Sequence, residues 1–275
     1  MIARLLFVVV LGVCGRGAAQ GAELAGKLVL SGSSTVAPLA NELGKLFEAK
    51  HPGVRIDVQS GGSSRGVADA RSGLADIGLV SRALKADESD LTAHTVALDG
   101  VGIILHKDNP VAALTDAQIV ALYKGEVKTW QDVGGRDERV TVVSKAEGRS
   151  TLELFLAYFG LKASQVKASV VIGDNEQGIK TLAANPTAIG YVSIGSAEVA
   201  VSAGTPIKLL PVGGVVASTS TVQNRTFPLS RPLNFVTKGK VGALAQTFLD
   251  FARSDAAAEA VKRQHFVPPT AASKS

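Results

Sequence analysis

Three stretches of this chain share one local grammar: alternating apolar residues, a loop rich in glycine and hydroxyls, then apolar residues at helical spacing. The first is KLVLSGSST (27–35), followed by Leu39, Leu43, Leu46 and Phe47 at i, i+4, i+7 and i+8. The second is VRIDVQSGGSS (54–64), where Val54, Ile56 and Val58 alternate before a helical run with Val67, Ala70 and Leu74. The third, VTVVSKAEGRST (140–151), leads into Leu152, Phe155, Leu156 and Phe159 and meets a helix stop at Gly160. Alternation puts every other side chain on one face of a strand, and the helical spacing gathers apolar residues on one stripe of a helix. Neither face is stable in water, so strand and helix must pack together. Repetition of the unit predicts an α/β fold with mostly parallel sheets. The same patterns predict strands at 75–80, 101–107, 188–194 and 232–238, and helices near Asp116–Tyr123, Gln177–Ala184 and Val241–Arg253.

The loops carry chemistry as well as turns. A helix N-terminus presents unpaired backbone N–H groups and the positive end of the macrodipole, and a serine or threonine there adds a hydroxyl. Such a junction can cap itself or hold an anion. Ser34-Thr35, Ser63-Ser64 and Ser150-Thr151 each occupy one, and Ser81-Arg82 follows the strand ADIGLV with a hydroxyl and a guanidinium that suits oxyanion oxygens. Lys145 and Arg149 flank the third loop. Four such junctions in one chain favour an oxyanion site over four independent caps.

Other chemistries fit less well. Gly62-Ser63-Ser64-Arg65-Gly66 matches the G-x-S-x-G nucleophile elbow, which raises a secreted serine hydrolase using Ser64 as an alternative. His51, His94, His106 and His265 are scattered, and none stands in a triad context with a carboxylate. Gly173 to Thr181 resembles a phosphate-binding loop until Ile179 intrudes between Gly178 and Lys180 and breaks the spacing. No His, Asp or Glu grouping has metal-ligand spacing, so no metal and no cofactor are expected. Aromatic residues make up only 5% of the chain, which disfavours sugar stacking. With 29 Lys and Arg against 24 Asp and Glu the net charge is +5, without a dense basic cluster, so nucleic acid is not an expected partner.

The first residues place Arg4 ahead of an apolar run from Leu5 to Val13 and end in Gly17-Ala18-Ala19. That pattern predicts a signal peptide over 1–19, with cleavage after Ala19 or alternatively Ala22, and a periplasmic product. The run is shorter than the roughly 20 residues a membrane-spanning helix needs. Cys14, the single cysteine, falls inside this leader, so disulfides and thiolate metal sites are not expected in the mature chain.

Six ordered blocks carry a wider likeness: SGSSTVAPL (31–39), QSGGSSRGV (59–67), ADIGLVSR (75–82), LYKGEVKTWQDVGG (122–135), AIGYVS (188–193) and FPLSRPLNF (227–235). In order and spacing the chain resembles the phosphate-binding (PstS-like) proteins of bacterial phosphate ABC transporters. The resemblance implies a two-lobed periplasmic-binding-protein fold with two hinge crossovers (type II), near Asp99–Gly102 and Ser230–Phe235. Residues 24–99 plus 236–269 would form lobe 1, 100–235 lobe 2, and 270–275 a disordered tail. It implies a monomer that is not an enzyme and that captures inorganic phosphate for the permease of an ABC importer. Sensing or scavenging of another oxyanion (sulfate, molybdate or tungstate) is the alternative. Carried over by position, Ser34, Thr35, Ser63 and Ser64 would contact the anion. Ser81-Arg82 stands where some members read Ser-Asp, leaving the acceptor for a phosphate proton unassigned. Lys145 takes the place of a basic residue with Glu147 as its partner, and Arg149, Ser150 and Thr151 lie where many members read Ser-Gly-Thr. Trp130 and Tyr191 are expected in the core of the second lobe.

Overall fold

The computed structural model describes residues 24–269; the expected signal peptide 1–19 with its Cys14, and the expected disordered tail 270–275, lie outside the described residues. The first two strand–loop–helix units form β1 (Ala25–Gly32), α1 (Ala37–Lys50), β2 (Gly53–Ser60) and α2 (Ser63–Ser72), followed by β3 (Ile77–Val80). β1 pairs in parallel with both β2 and β3. α2 ends two residues earlier than its apolar pattern suggests, because Gly73 takes a left-handed φ of 74° as its C-cap. Leu74, expected on the helix's apolar face, is therefore beyond the helix and 73% exposed.

β4 (Leu91–His106) is the first crossover strand. Its first part, Leu91–Gly100, lies antiparallel to β9 (Ser230–Lys238), and from Val101 onward it pairs with β7 (Ala188–Ser193) and β8 (Ile207–Leu210). β5 (Thr141–Lys145) pairs in parallel with β7 and with β6 (Val170–Ile172). The strand order is β2-β1-β3-β9-β4-β7-β5-β6, with β8 attached to β4. Every antiparallel pairing between these strands involves β4 or β9; the remaining pairs, β1 with β2 and β3, and β5 with β6 and β7, are parallel. Parallel neighbours need a helical crossover, whereas a strand passing between lobes enters each sheet against the local direction.

The helices of the second lobe are α3 (Asp116–Lys124), α4 (Ser150–Tyr158), α5 (Asn175–Ala183), α6 (Ile194–Ser202) and α7 (Thr219–Gln223). The chain returns through β9 to α8 (Ala243–Ala252) and α9 (Asp255–Arg263), which pack on the first lobe. β9 pairs along its whole length with β3 and the first part of β4, and Leu233 and Phe235 enter the first lobe's core. Residues 232–235, expected in lobe 2, thus belong to the sheet of lobe 1.

Each lobe has its own core. In the first, Leu39, Leu43 and Phe47 of α1 meet Leu30, Ile77, Phe235 and Phe248. In the second, Tyr191 stacks on Phe155 at 4.0 Å, and the Trp130 indole N–H donates to Thr187 O at 2.8 Å. No helix of the described residues is long and apolar enough to cross a membrane.

Candidate anion-binding site

Three helix N-termini meet at the junction of the lobes. The loop before α1 supplies Ser33, Ser34 and Thr35, the start of α2 supplies Gly62 and Ser63, and the start of α4 supplies Arg149, Ser150 and Thr151; with Ser81 after β3 they line a cavity of about 10 Å³. That is far below the ~300–1,000 Å³ typical of sites for larger molecules. The N–H groups of Ser34, Ser63, Ser150 and Thr151 find no acceptor among the described residues. The buried Ser150 hydroxyl also has no partner. A buried polar group left alone is unfavourable by about 1–3 kcal/mol, so this surplus of donors calls for a negatively charged or strongly accepting occupant.

Behind the hydroxyls lies a buried ion pair. Asp99 and Arg231 stand opposite each other in the β4–β9 ladder, one on each crossover strand. Arg231 Nε and Nη2 donate to Asp99 Oδ2 at 3.1 and 2.8 Å, and the second oxygen of Asp99 accepts the Gly195 N–H at 3.2 Å. The rest of the guanidinium faces the cavity wall: Nη1 donates to Thr151 Oγ1 at 3.0 Å and Nη2 to Thr35 Oγ1 at 3.3 Å. Thr35 Oγ1 also accepts the Asn175 Nδ2–H at 3.0 Å, which occupies both of its lone pairs. Its own proton is then the only polar group left to offer the cavity. Ser81 Oγ is held similarly, accepting from Ser33 Oγ at 2.9 Å and from Arg231 Nη1 at 3.4 Å, while Ser81 N–H donates to Ser63 Oγ at 3.1 Å.

Of the expected contact residues, Ser34, Thr35, Ser63, Ser81, Arg149, Ser150 and Thr151 come together around this cavity, whereas Ser64, Arg82 and Lys145 do not line it. The Ser64 hydroxyl turns away to Glu153 Oε1 at 3.3 Å, and its N–H donates to Gly148 O at 3.2 Å. Pairing with a carboxylate, without an imidazole at that hydroxyl, also removes the geometry a hydrolase nucleophile requires. Arg82 is drawn off by carboxylates: Nη1 and Nη2 donate to Glu88 at 2.7 and 2.8 Å, and Nε lies 3.0 Å from Glu153 Oε2, close enough for charge attraction but out of line for a hydrogen bond. Burial works to lower its pKa, but Glu88 and then Glu153 outweigh that and hold it above its ordinary value.

Lys145 is one residue behind the wall. Its Nζ donates to Asn175 Oδ1 at 2.9 Å, and Asn175 passes the contact on to Thr35. The expected partner, Glu147, is exposed and leaves this role to Asn175. Burial pulls the Lys145 ammonium down to about 7, with the positive charges of Arg231 and Arg149 acting in the same direction and Asp174 opposing them.

Sequence reasoning missed Ser33, Asn175, Asp99 and Arg231 as site components. Ser33 sits in the same loop as Ser34, and Arg231 within the block FPLSRPLNF. Asn175 opens α5 inside the stretch set aside as a broken phosphate loop. A wider groove of about 590 Å³ runs between α1, α5 and α6 and shares Ser34 and Asn175 with this region, but its lining mixes apolar side chains with the acidic Asp174 and Glu176 as well as the basic Lys180.

Two lobes joined by crossover strands, with a small donor-rich cavity between them, define a solute-binding protein. The chain belongs to the PBP superfamily, whose domain model matches residues 17–256. Among similar proteins, the phosphate-binding protein PstS of Bacillus subtilis is 27% identical over 258 residues, covering 92% of this chain and 84% of its own. PstS of Pseudomonas aeruginosa is 27% identical over 275 residues, covering 90% and 85%. Among solved structures, a substrate-binding protein from Clostridium perfringens with bound phosphate superposes with a TM-score of 0.83 at 30% identity, covering 89% of this chain and all of that one. A phosphate transport receptor from Vibrio cholerae gives 0.72 at 27%, with the same coverage.

Proposed function

We propose that this protein is an exported, non-enzymatic binding protein that captures inorganic phosphate between its lobes and delivers it, as a monomer, to the membrane permease of an ABC importer. The observation that carries this reading is the convergence of the α1, α2 and α4 N-termini on one small cavity whose hydroxyls are oriented by Arg231. Similarity to proteins named for phosphate binding, one of them solved with phosphate bound, supports the choice of anion. Affinity arises from many hydrogen bonds formed in a site shielded from water, where each is stronger than in solution. Ser34, Thr35, Ser63, Ser81, Arg149, Ser150 and Thr151 make the contacts in this account, with Lys145 acting through Asn175. Removal of a leader ending at Ala19 places the protein in the periplasm.

Calorimetric titration with phosphate, arsenate, sulfate, molybdate and tungstate tests the proposal. Phosphate should bind most tightly, at one ion per chain. Absence of heat with every oxyanion would sink it.

A further inference from the structure

Outside the cavity, the two lobes are also joined by a cluster of charges that the binding site does not use. Glu153 lies one turn into α4, on lobe 2. Its Oε2 is 3.0 Å from Arg82 Nε and 3.0 Å from Lys85 Nζ, and its Oε1 accepts the Ser64 hydroxyl; all three partners belong to lobe 1. None of Glu153, Arg82, Lys85 and Ser64 lines the anion cavity.

The lobe 1 half of this cluster is assembled independently of lobe 2. Glu88 holds Arg82 through two hydrogen bonds at 2.7 and 2.8 Å and accepts the Lys85 N–H at 2.9 Å. The Arg82 guanidinium keeps the Glu88 carboxyl below its ordinary pKa against the opposing effect of burial. Within lobe 1 the side chains of Arg82, Lys85 and Glu88 sum to one positive charge, and Glu153 cancels it when the lobes meet. Separation of the lobes leaves Arg82 still paired with Glu88 but returns Glu153 to water. Such a contact contributes to the closed state while contributing nothing to the open one, and its fixed lobe 1 half reduces the ordering needed at closure.

We propose that Glu153 is a closure latch: a positioning residue that pairs with Arg82 and Lys85 across the cleft and sets how long a captured anion stays, without contacting the anion. This rests on the phosphate-binding reading above. The uncompensated positive charge of lobe 1 draws anions toward the open cleft, and its neutralisation by Glu153 accompanies capture. Loss of the latch therefore acts on release. Interactions formed on closure are felt in the dissociation rate, whereas the encounter with an open cleft is left nearly unchanged.

The test uses the full protein with inorganic phosphate as probe. Release of radiolabelled phosphate is followed in a chase with unlabelled phosphate, and affinity is measured by calorimetry. Glu153→Gln should release phosphate about tenfold faster, with the dissociation constant raised by the same factor and the association rate within about twofold of the parent. Raising ionic strength should narrow the gap between parent and variant, because the latch is a charge interaction near the surface. Lys85→Gln, at a half-exposed position, should give a smaller shift in the same direction, and the two substitutions together should be less than additive. Equal release rates in parent and Glu153→Gln would overturn the latch, as would a change confined to association or strict additivity with Lys85→Gln. A parent protein that binds no phosphate would overturn the functional reading and the latch with it.

Discussion

Arg231 decides what the hydroxyls of this site can do. A threonine hydroxyl has one proton and two lone pairs, and at Thr35 both lone pairs are taken, by Arg231 and Asn175. The residue is left as a donor only. Ser150 makes the complementary case, since its buried hydroxyl has no partner within the protein. Ser150→Ala should therefore leave thermal stability nearly unchanged while weakening phosphate binding by about 1.5–3 kcal/mol, the range for a hydrogen bond to a charged group. A melting curve and a titration on the same sample check both halves. An affinity equal to the parent's would remove Ser150 from the site. Lys145 carries a pH signature. Its folded-state pKa of about 7 lies below the 10.5 of an ordinary lysine, so the unfolded chain holds the extra proton between these values and this group's contribution makes stability rise with pH across that window. A bound anion favours the charged ammonium, so binding should take up a proton at and just above neutral pH, and affinity should fall as pH rises. Titration at pH 7.5 in buffers of different ionisation heat measures the uptake. Lys145→Met should abolish the lysine's share and leave any proton carried by phosphate itself; identical uptake in both proteins would refute the coupling.

At the scale of elements, the site depends on how closely α2 lies on its sheet. A Cβ at Gly66 would stand 2.6 Å from Leu79 O, 2.8 Å from Ser31 O and 3.0 Å from Gly32 Cα, all backbone atoms that cannot rotate aside. Gly66→Ala should push α2 off β1 and β3, destabilising the protein by about 1–3 kcal/mol and moving Ser63 away from Ser81. Urea unfolding measures the first effect and phosphate titration the second; an unchanged midpoint would show that the packing can relax. The three opening units were legible in the sequence because their signals are local: alternation, a hydroxyl loop and a helical stripe fall within about 25 residues. β6, β8, α6, α7, α9 and the first part of β4 were not read. β6 and β8 are three and four residues long, too short for a period to register, and LTAHTVALDG owes its extended form to pairing with β9, over a hundred residues away. In α6 the run IGSAEVAVS is apolar on several sides and follows β7 directly, which hides the switch of period.

Across the whole molecule, function follows from the two places where the chain changes lobe. Asp99 and Arg231 are 132 residues apart in sequence, yet the β4–β9 register sets them face to face at the crossover. Pattern within either segment could place a strand there but could not reveal the partner, which is why the loop hydroxyls were found and the arginine behind them was not. The same limit explains Arg82 and Ser64. Both were expected in the cavity from their neighbours, and both are drawn away by Glu88 and Glu153, whose positions only the folded chain defines. The most direct test of the account is a crystal structure of the protein, stripped of bound anions and then saturated with phosphate. One phosphate should lie between the lobes within hydrogen-bonding distance of Ser34, Thr35, Ser63, Ser150 and Thr151, with Arg231 behind it. A phosphate bound elsewhere, or a cavity left empty at saturating phosphate, would contradict it.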